Sequence, residues 1–169
     1  MDKDNIVLIG MPASGKSTVG VILAKLLGFD FIDADLLIQR REGRLLSEII
    51  RDEGLDGFLA IENDVCRGIE ASRTVIATGG SAVYGSQAMR HLAEIGWIVY
   101  LEAGFESIQS RLSDIRGRGV VLREGQTLES LYRERVPLYR KYAEITIPEA
   151  GLGIEATVEA VRKALDGRV

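Results

Sequence analysis

Residues 8–20 of the chain read LIGMPASGKSTVG, and this stretch decides the fold. It joins a short apolar run, NIVLI at residues 5–9, to a segment with apolar residues at helical spacing, KSTVGVILAKLLG at residues 16–28. Residues 10–17 match the pattern G-x-x-x-x-G-K-[ST] of a phosphate-binding loop, between a predicted strand and a predicted helix, as that loop requires. The alternative is a chance glycine turn before a helix, which the full pattern in this context disfavours. The stretch therefore predicts a nucleoside triphosphate site.

The loop carries the groups that a triphosphate needs. Glycines let backbone N–H groups approach the phosphate oxygens closely, and the helix that starts near Lys16 adds the positive end of its dipole. Lys16 can reach the β and γ phosphates, and the hydroxyl of Ser17 can be a ligand of Mg²⁺. The residues that we assign to the nucleotide here are Gly10, Ala13, Ser14, Gly15, Lys16, Ser17 and Thr18.

Composition and charge limit the classes of function. The 169 residues fit one domain, with 46% apolar and 27% charged residues. The net charge of −4 gives no general attraction to nucleic acid or to an anionic membrane. The single cysteine, Cys66, cannot form an internal disulfide and is expected to be buried. The N-terminal apolar run is too short for a signal peptide or a membrane span, so we expect a cytoplasmic protein.

Strands and helices alternate along the chain. Further strands are predicted in FDFIDAD (29–35), TVIATGG (74–80), WIVYLEA (97–103) and EITIP (144–148), with helical segments between them. This alternation predicts an α/β fold with a parallel sheet and helices on both faces. Pro137 is expected to kink or break the helix of residues 127–143. Because ligands bind at the carboxyl ends of such strands, Gly10, the pair Asp33 and Asp35, and Gly79 with Gly80 should converge on one site.

The acids of FIDADLLI, residues 31–38, have possible roles beside a triphosphate. Alternate residues of a strand share a face, so Asp33 and Asp35 are expected on one face of the strand end. One carboxylate can hold Mg²⁺ through water, and the other can accept a proton from an alcohol. The structural alternative is that Asp35 only caps the helix that starts near Leu36.

The order of these motifs resembles that of the shikimate kinases. The phosphate loop, FIDAD, ATGGSAV, an arginine-bearing segment and RERVPLY follow one another as in that family, over residues 6–147. The resemblance implies a three-layer P-loop kinase fold with a five-stranded parallel sheet, in a single domain of residues 1–169 with a mobile lid at about residues 113–126. It implies a kinase of aromatic amino acid biosynthesis that uses ATP and Mg²⁺ to phosphorylate a hydroxyl of shikimate. Its partners would be these small molecules, and we expect a monomer.

The resemblance also implies roles for the acids and glycines. Asp33 would assist Mg²⁺ together with Ser17, and Asp35 would hold the acceptor hydroxyl and act in catalysis with Lys16. Gly79 and Gly80 would line the acceptor pocket through their backbone.

Arginines complete the implied site. Arg118 would be the catalytic lid arginine that reaches the phosphates, and Arg111 resembles a residue that stacks on adenine. Arg135 resembles an arginine that pairs with the carboxylate of the acceptor, for which a guanidinium is well shaped. On composition alone, the segment that contains Arg111, Arg116, Arg118 and Arg123 could equally be a solvated loop.

Three departures from the family pattern lie in the acceptor pocket or the lid. Leu59 follows Phe58 where the family usually has a carboxylate-binding arginine, although Glu62 stands at the position that the family pattern F-R-x-x-E gives to glutamate. The third glycine of the family's GGG is replaced by Ser81. The family's RPLL appears as RGVVL at residues 118–122. Arg135, with Arg51 or Arg67, would then anchor the carboxylate.

Other readings compete with a shikimate kinase. The departures leave open a sister kinase that acts on another small hydroxylated metabolite. A nucleoside monophosphate kinase is weaker, because the arginines that its acceptor domain needs are not evident. A nucleotide-binding module without turnover has little use for a general base such as Asp35. A GTPase switch is disfavoured because no N-K-x-D motif is present.

Overall fold

The computed structural model describes residues 3–113, 120 and 122–169. Its strands are β1 (Asn5–Ile9), β2 (Asp30–Asp33), β3 (Thr74–Ala77), β4 (Gly96–Glu102) and β5 (Ile145–Pro148). Its helices are α1 (Lys16–Leu27), α2 (Ala34–Glu42), α3 (Leu46–Arg67), α4 (Ser86–Ile95), α5 (Phe105–Ser113), α6 (Leu128–Tyr142) and α7 (Ile154–Ala164), and a 3₁₀ turn covers Ala82–Tyr84. In this part of the chain, no helix is long and apolar enough to cross a membrane.

The five strands form one parallel sheet in the order β2-β3-β1-β4-β5. Strand β1 is central and buried on both faces. Ile6 and Leu8 pack with residues of α1 and α7, whereas Val7 and Ile9 pack with residues of α4 and α6 on the other face. Helices therefore cover both faces of the sheet, and the predicted three-layer fold is confirmed.

The two acids differ from the sequence prediction in their placement. Strand β2 ends at Asp33, and Asp35 lies in the first turn of α2. Asp33 Oδ1 accepts hydrogen bonds from the backbone N–H groups of Asp35 (3.0 Å) and Leu36 (3.3 Å). The expectation of one shared strand face is wrong, because the cap at Asp33 turns the chain into the helix one residue later. The capping alternative applies to Asp33 and not to Asp35.

Helix α6 is continuous through Pro137, so the predicted break there is wrong. Pro137 is exposed, and on the outer side of a helix water can satisfy the carbonyl that loses its donor. Helix α3 is interrupted at Gly54, which has φ 71° and ψ 177°. Cys66 is fully buried, as expected.

Candidate active site

A cavity of about 540 Å³ lies at the carboxyl ends of β2 and β3, beside the loop after β1. The loop, the start of α2, helix α3, the residues after β3 and helix α6 form its walls. The residues predicted for the site that line it are Ala13, Gly15, Lys16, Ser17, Thr18, Asp33, Asp35, Gly79, Gly80 and Arg135. The convergence predicted for the strand ends is therefore present, although Gly10 and Ser14 are buried within the loop and do not line the cavity.

The backbone of the loop has conformations that glycine adopts easily. Gly10 has φ +150°, and a Cβ there would lie 2.8 Å from the carbonyl oxygen of Leu101. Gly15 has φ 85° and ψ 13° immediately before α1, and no side chain caps that helix. The first N–H groups of α1 therefore remain available to an anion at the helix N-terminus.

Lys16 is buried within the loop, with 7% of its surface exposed. Its Nζ donates hydrogen bonds to the carbonyl oxygens of Gly10 and Met11, each at 2.8 Å. Burial lowers the pKa of Lys16 to about 8, although the negative charge of Asp35 acts in the opposite direction. A cation held by neutral carbonyls at a cavity wall is well placed to bind phosphate oxygens.

Ser17 and Asp33 place two oxygen atoms that can bind a metal ion side by side at the cavity wall. Ser17 Oγ donates a hydrogen bond of 2.6 Å to Asp33 Oδ2. Among the described residues, no cluster of three or more His, Cys, Asp or Glu could hold a metal by itself. A hydroxyl and one carboxylate nevertheless fit Mg²⁺, which protein sites commonly hold through one or two such groups and the phosphates of the substrate.

Gly79 and Gly80 form a wall that a side chain would fill. A Cβ on Gly79 would clash with Glu62 Oε1 and would lie 2.9 Å from Asp35 Oδ1. A Cβ on Gly80 would lie 2.7 Å from Pro12 Cδ and 3.1 Å from Arg135 Nη1. The two glycines thus allow the backbone to pass close to the acid and the arginine.

Arg135 presents a buried guanidinium to the cavity. It is 5% exposed, and its Cζ lies 5.4 Å from the centre of the Tyr84 ring. Its Nε has no hydrogen-bond partner within the described part of the chain. Tyr139, one helical turn further along α6, donates a hydrogen bond of 2.6 Å to the carbonyl oxygen of Gly80. A fixed guanidinium with a spare donor is suited to a carboxylate ligand.

Among the other predicted arginines, those that the structure describes do not line the cavity. Arg111 Nη1 donates a hydrogen bond of 3.0 Å to the carbonyl of Ala13 and lies 3.6 Å from Glu149 Oε2. Arg111 therefore packs against the phosphate loop from outside the cavity. Arg116 and Arg118, with half of the predicted lid, lie outside the described residues.

Arg51 and Arg67, suggested alongside Arg135 to compensate for Leu59, do not line the cavity. Arg51 pairs with Asp52 at 2.8 Å, Arg67 pairs with Asp64 at 3.0 Å, and neither is among the described residues that line it. That expectation is wrong, because both side chains are engaged on the exposed faces of α3. Leu59 itself lines a smaller cavity of about 10 Å³ together with Arg135.

Two buried acids had no role assigned from the sequence. Glu62 on α3 is 1% exposed, and burial raises its pKa to about 7. Glu149 after β5 is 7% exposed, and burial also raises its pKa. A signal for Glu62 was available, because it follows the apolar residues of α3 at helical spacing, four after Phe58 and three before Val65.

Comparison with known proteins identifies the family. The family model described as shikimate kinase matches residues 12–166. The shikimate kinase of Thermobifida fusca is 37% identical over 161 residues, which cover 94% of this chain and 93% of that protein. That of Thermodesulfovibrio yellowstonii is 38% identical over 162 residues, with coverage of 94% and 93%.

Solved structures agree with this result. The shikimate kinase from Acinetobacter baumannii in complex with shikimate superposes with a TM-score of 0.83 at 32% identity, covering 99% of this chain and 96% of that one. The shikimate kinase from Aquifex aeolicus gives a TM-score of 0.80 at 31% identity, with 96% of each chain covered. The chain therefore belongs to the shikimate kinase family.

Proposed function

We propose that this protein transfers the γ-phosphoryl group of ATP to a hydroxyl of shikimate. The observation that carries the proposal is that one cavity contains the phosphate-loop cation Lys16, the carboxylate Asp35 and the guanidinium Arg135. These groups suit a triphosphate, an alcohol and a carboxylate, which are the groups that this reaction brings together.

The phosphate loop holds the donor. Lys16 Nζ exchanges its carbonyl partners, Gly10 and Met11, for the β and γ phosphate oxygens, and the uncapped N–H groups of α1 bind the same anion. Both interactions stabilise the negative charge on the phosphate oxygens in the transition state, which lowers the barrier to transfer.

Asp35 acts on the acceptor. Its carboxylate accepts the proton of the attacking hydroxyl while the acceptor oxygen bonds to the γ phosphorus. The bond from that phosphorus to the β–γ bridging oxygen breaks, and ADP leaves. A Cβ on Gly79 would clash with Glu62 and would lie 2.9 Å from Asp35 Oδ1. Because glycine has no side chain there, the acceptor can approach Asp35 closely.

Ser17 and Asp33 would hold Mg²⁺, supported by the short contact between their oxygens. When bound, the ion neutralises charge on the β and γ phosphates.

Arg135 would bind the carboxylate of shikimate. Its unpartnered Nε and its Nη1 beside Gly80 offer donors to that group. A buried guanidinium without an anion is costly, and a bound carboxylate removes that cost.

A sister kinase of another hydroxylated metabolite is the second candidate, and Leu59 is the observation that favours it. Leu59 stands where the family pattern has an arginine, and it lines the small cavity of about 10 Å³ that Arg135 also lines. We therefore expect a high KM for shikimate, with Leu59→Arg lowering it about tenfold through a charge-assisted hydrogen bond.

A coupled assay of ADP release tests the proposal against this candidate. Shikimate is compared with a panel of hydroxy acids and of polyols that lack a carboxylate. The proposal predicts the highest kcat/KM for shikimate. A polyol that is phosphorylated briskly by both the wild type and Leu59→Arg, without turnover of shikimate, would establish the second candidate.

We also propose roles for the lid, for Arg118 and for Arg111. Arg118 would reach the phosphates and residues 113–126 would cover the site, by resemblance to the family. Arg111, held near the loop by Ala13, would stack on adenine. The protein would act as a cytoplasmic monomer, without nucleic acid or membrane partners.

A further inference from the structure

The departure at Ser81 places a hydroxyl on the wall of the acceptor cavity. Ser81 lines the cavity and is 9% exposed. Its Oγ donates a hydrogen bond of 2.6 Å to Oε2 of Glu62, which is 1% exposed. The two side chains come from different elements, since Ser81 directly precedes the 3₁₀ turn after β3 and Glu62 lies on α3.

Within the described part of the chain, Ser81 is the one hydrogen-bond donor to the carboxyl of Glu62. Its Oε1 is buried without a hydrogen-bond partner among the described residues, beside Gly79. The charges that face it are Asp35 from α2, Lys16 from α1 and Arg135 from α6. Burial raises the pKa of Glu62, whereas the hydrogen bond from Ser81 lowers it, so this bond stabilises the carboxylate form.

The direction of that bond determines what Ser81 can offer to a ligand. A hydroxyl has one proton and two acceptor lone pairs. While Glu62 is ionised, the proton of Ser81 is directed to its carboxylate, so the oxygen of Ser81 presents only lone pairs to the cavity. It can accept a hydrogen bond from a ligand hydroxyl, and it repels a ligand carboxylate.

We propose that Ser81, oriented by Glu62, is a specificity-determining residue that accepts a hydrogen bond from an acceptor hydroxyl other than the one phosphorylated. The inference rests on the proposed function. It assigns different ligand groups to the two ends of the acceptor pocket. The acceptor carboxylate turns toward Arg135, and a second hydroxyl of the acceptor donates to Ser81.

The test compares Ser81→Ala with the wild type on shikimate and on analogues in which each ring hydroxyl other than the phosphorylated one is replaced in turn by hydrogen. For shikimate, the variant should raise KM about three- to tenfold, the effect of one neutral hydrogen bond, with the KM of ATP and kcat nearly unchanged. For one analogue, which lacks the hydroxyl that Ser81 recognises, the variant should have no effect on KM.

Controls separate recognition from a change in folding. Ser47→Ala removes another serine hydroxyl that lines the cavity and should change KM equally little for shikimate and for every analogue. Ser81→Gly is a second variant in case Ser81→Ala folds poorly, and thermal unfolding is recorded for each. An equal rise in KM for shikimate and for all analogues would overturn the inference, because a structural defect does not discriminate among ligands.

Variants of Glu62 test the orienting role. Glu62→Gln keeps an oxygen that can accept the proton of Ser81 and should retain the discrimination, whereas Glu62→Met lacks such an acceptor and should lose it. Retention in Glu62→Met would overturn the orienting role. Absence of shikimate turnover and binding in the wild type would instead refute the proposed function, so the two failures are distinguishable.

Discussion

Ser17 Oγ donates a hydrogen bond of 2.6 Å to Asp33 Oδ2, while Oδ1 of the same carboxylate caps helix α2. One side chain therefore connects the phosphate loop to the helix that carries Asp35. This connection fixes the distance between the nucleotide side and the acceptor side of the cavity before any ligand binds. Preorganisation of this kind reduces the entropy that is lost when the reacting groups are aligned.

The first prediction concerns this pair and Mg²⁺. Ser17→Ala and Asp33→Asn should each raise the Mg²⁺ concentration for half-maximal rate by about tenfold or more, because each removes an oxygen that would position the ion. Asparagine can still cap α2. The measurement is a Mg²⁺ titration of the rate at saturating ATP. Asp30→Asn, at an exposed position of β2, is the control, and a shift in that variant as large as in Asp33→Asn would contradict the assignment.

The second prediction concerns activity and Lys16. Lys16→Met should lower kcat by at least about 10², because it removes the buried cation that faces the phosphates. The variant should remain folded, since methionine fills a similar volume. A rate near that of the wild type with shikimate and ATP would rule out the phosphate-loop assignment.

The same lysine gives a prediction for stability. Its pKa is lowered from 10.5 to about 8 by burial. Between these pH values the unfolded chain keeps the proton and the native protein releases it, so the free energy of unfolding of the wild type should rise as pH increases through this window. Urea unfolding at pH 8 and pH 10 should show a smaller rise in Lys16→Met. If the free energy of unfolding changed equally with pH in the wild type and in Lys16→Met, the prediction for Lys16 would be wrong.

Asp35→Asn separates a general base from a binding residue. The amide keeps the size of the side chain but cannot take a proton, so kcat should fall by about 10²–10⁴ while the KM of ATP stays the same. Steady-state kinetics with both substrates varied provide the measurement. An unchanged kcat would mean that Asp35 only positions the acceptor.

Because Glu62 is buried, we expect the free energy of unfolding to depend on pH between 4.5 and about 7. Burial raises its pKa from 4.5 to about 7, so between these pH values the native protein keeps a proton that the unfolded chain has released. The free energy of unfolding should therefore fall as pH rises through this window, by up to about 3 kcal/mol from this group. Glu62→Gln should remove this contribution, which denaturant unfolding at pH 5 and pH 8 would reveal. A slope unchanged in Glu62→Gln would show that other groups cause it.

The sequence predicts the parts of this site that depend on local backbone chemistry. The phosphate loop was predicted correctly because its glycines and the following helix are encoded within a few residues, as Gly15 illustrates. The alternation of strands and helices likewise gave the parallel sheet. These features need no knowledge of distant contacts.

Features that depend on tertiary packing were missed or wrong. Asp35 was expected on a strand, because periodicity alone does not reveal that Asp33 caps a helix. Arg51 and Arg67 were expected near the acceptor, but the direction of their side chains on α3 depends on how that helix packs. Glu62 is buried by contact with the residues after β3, 19 positions further along the chain.

The most direct test of the central claim is to identify the product by ³¹P NMR after incubation with ATP, Mg²⁺ and shikimate. The account predicts one new phosphate monoester on shikimate, formed in equal amount with ADP. Conversion of ATP to ADP and inorganic phosphate without an ester, or no consumption of ATP at all, would contradict it.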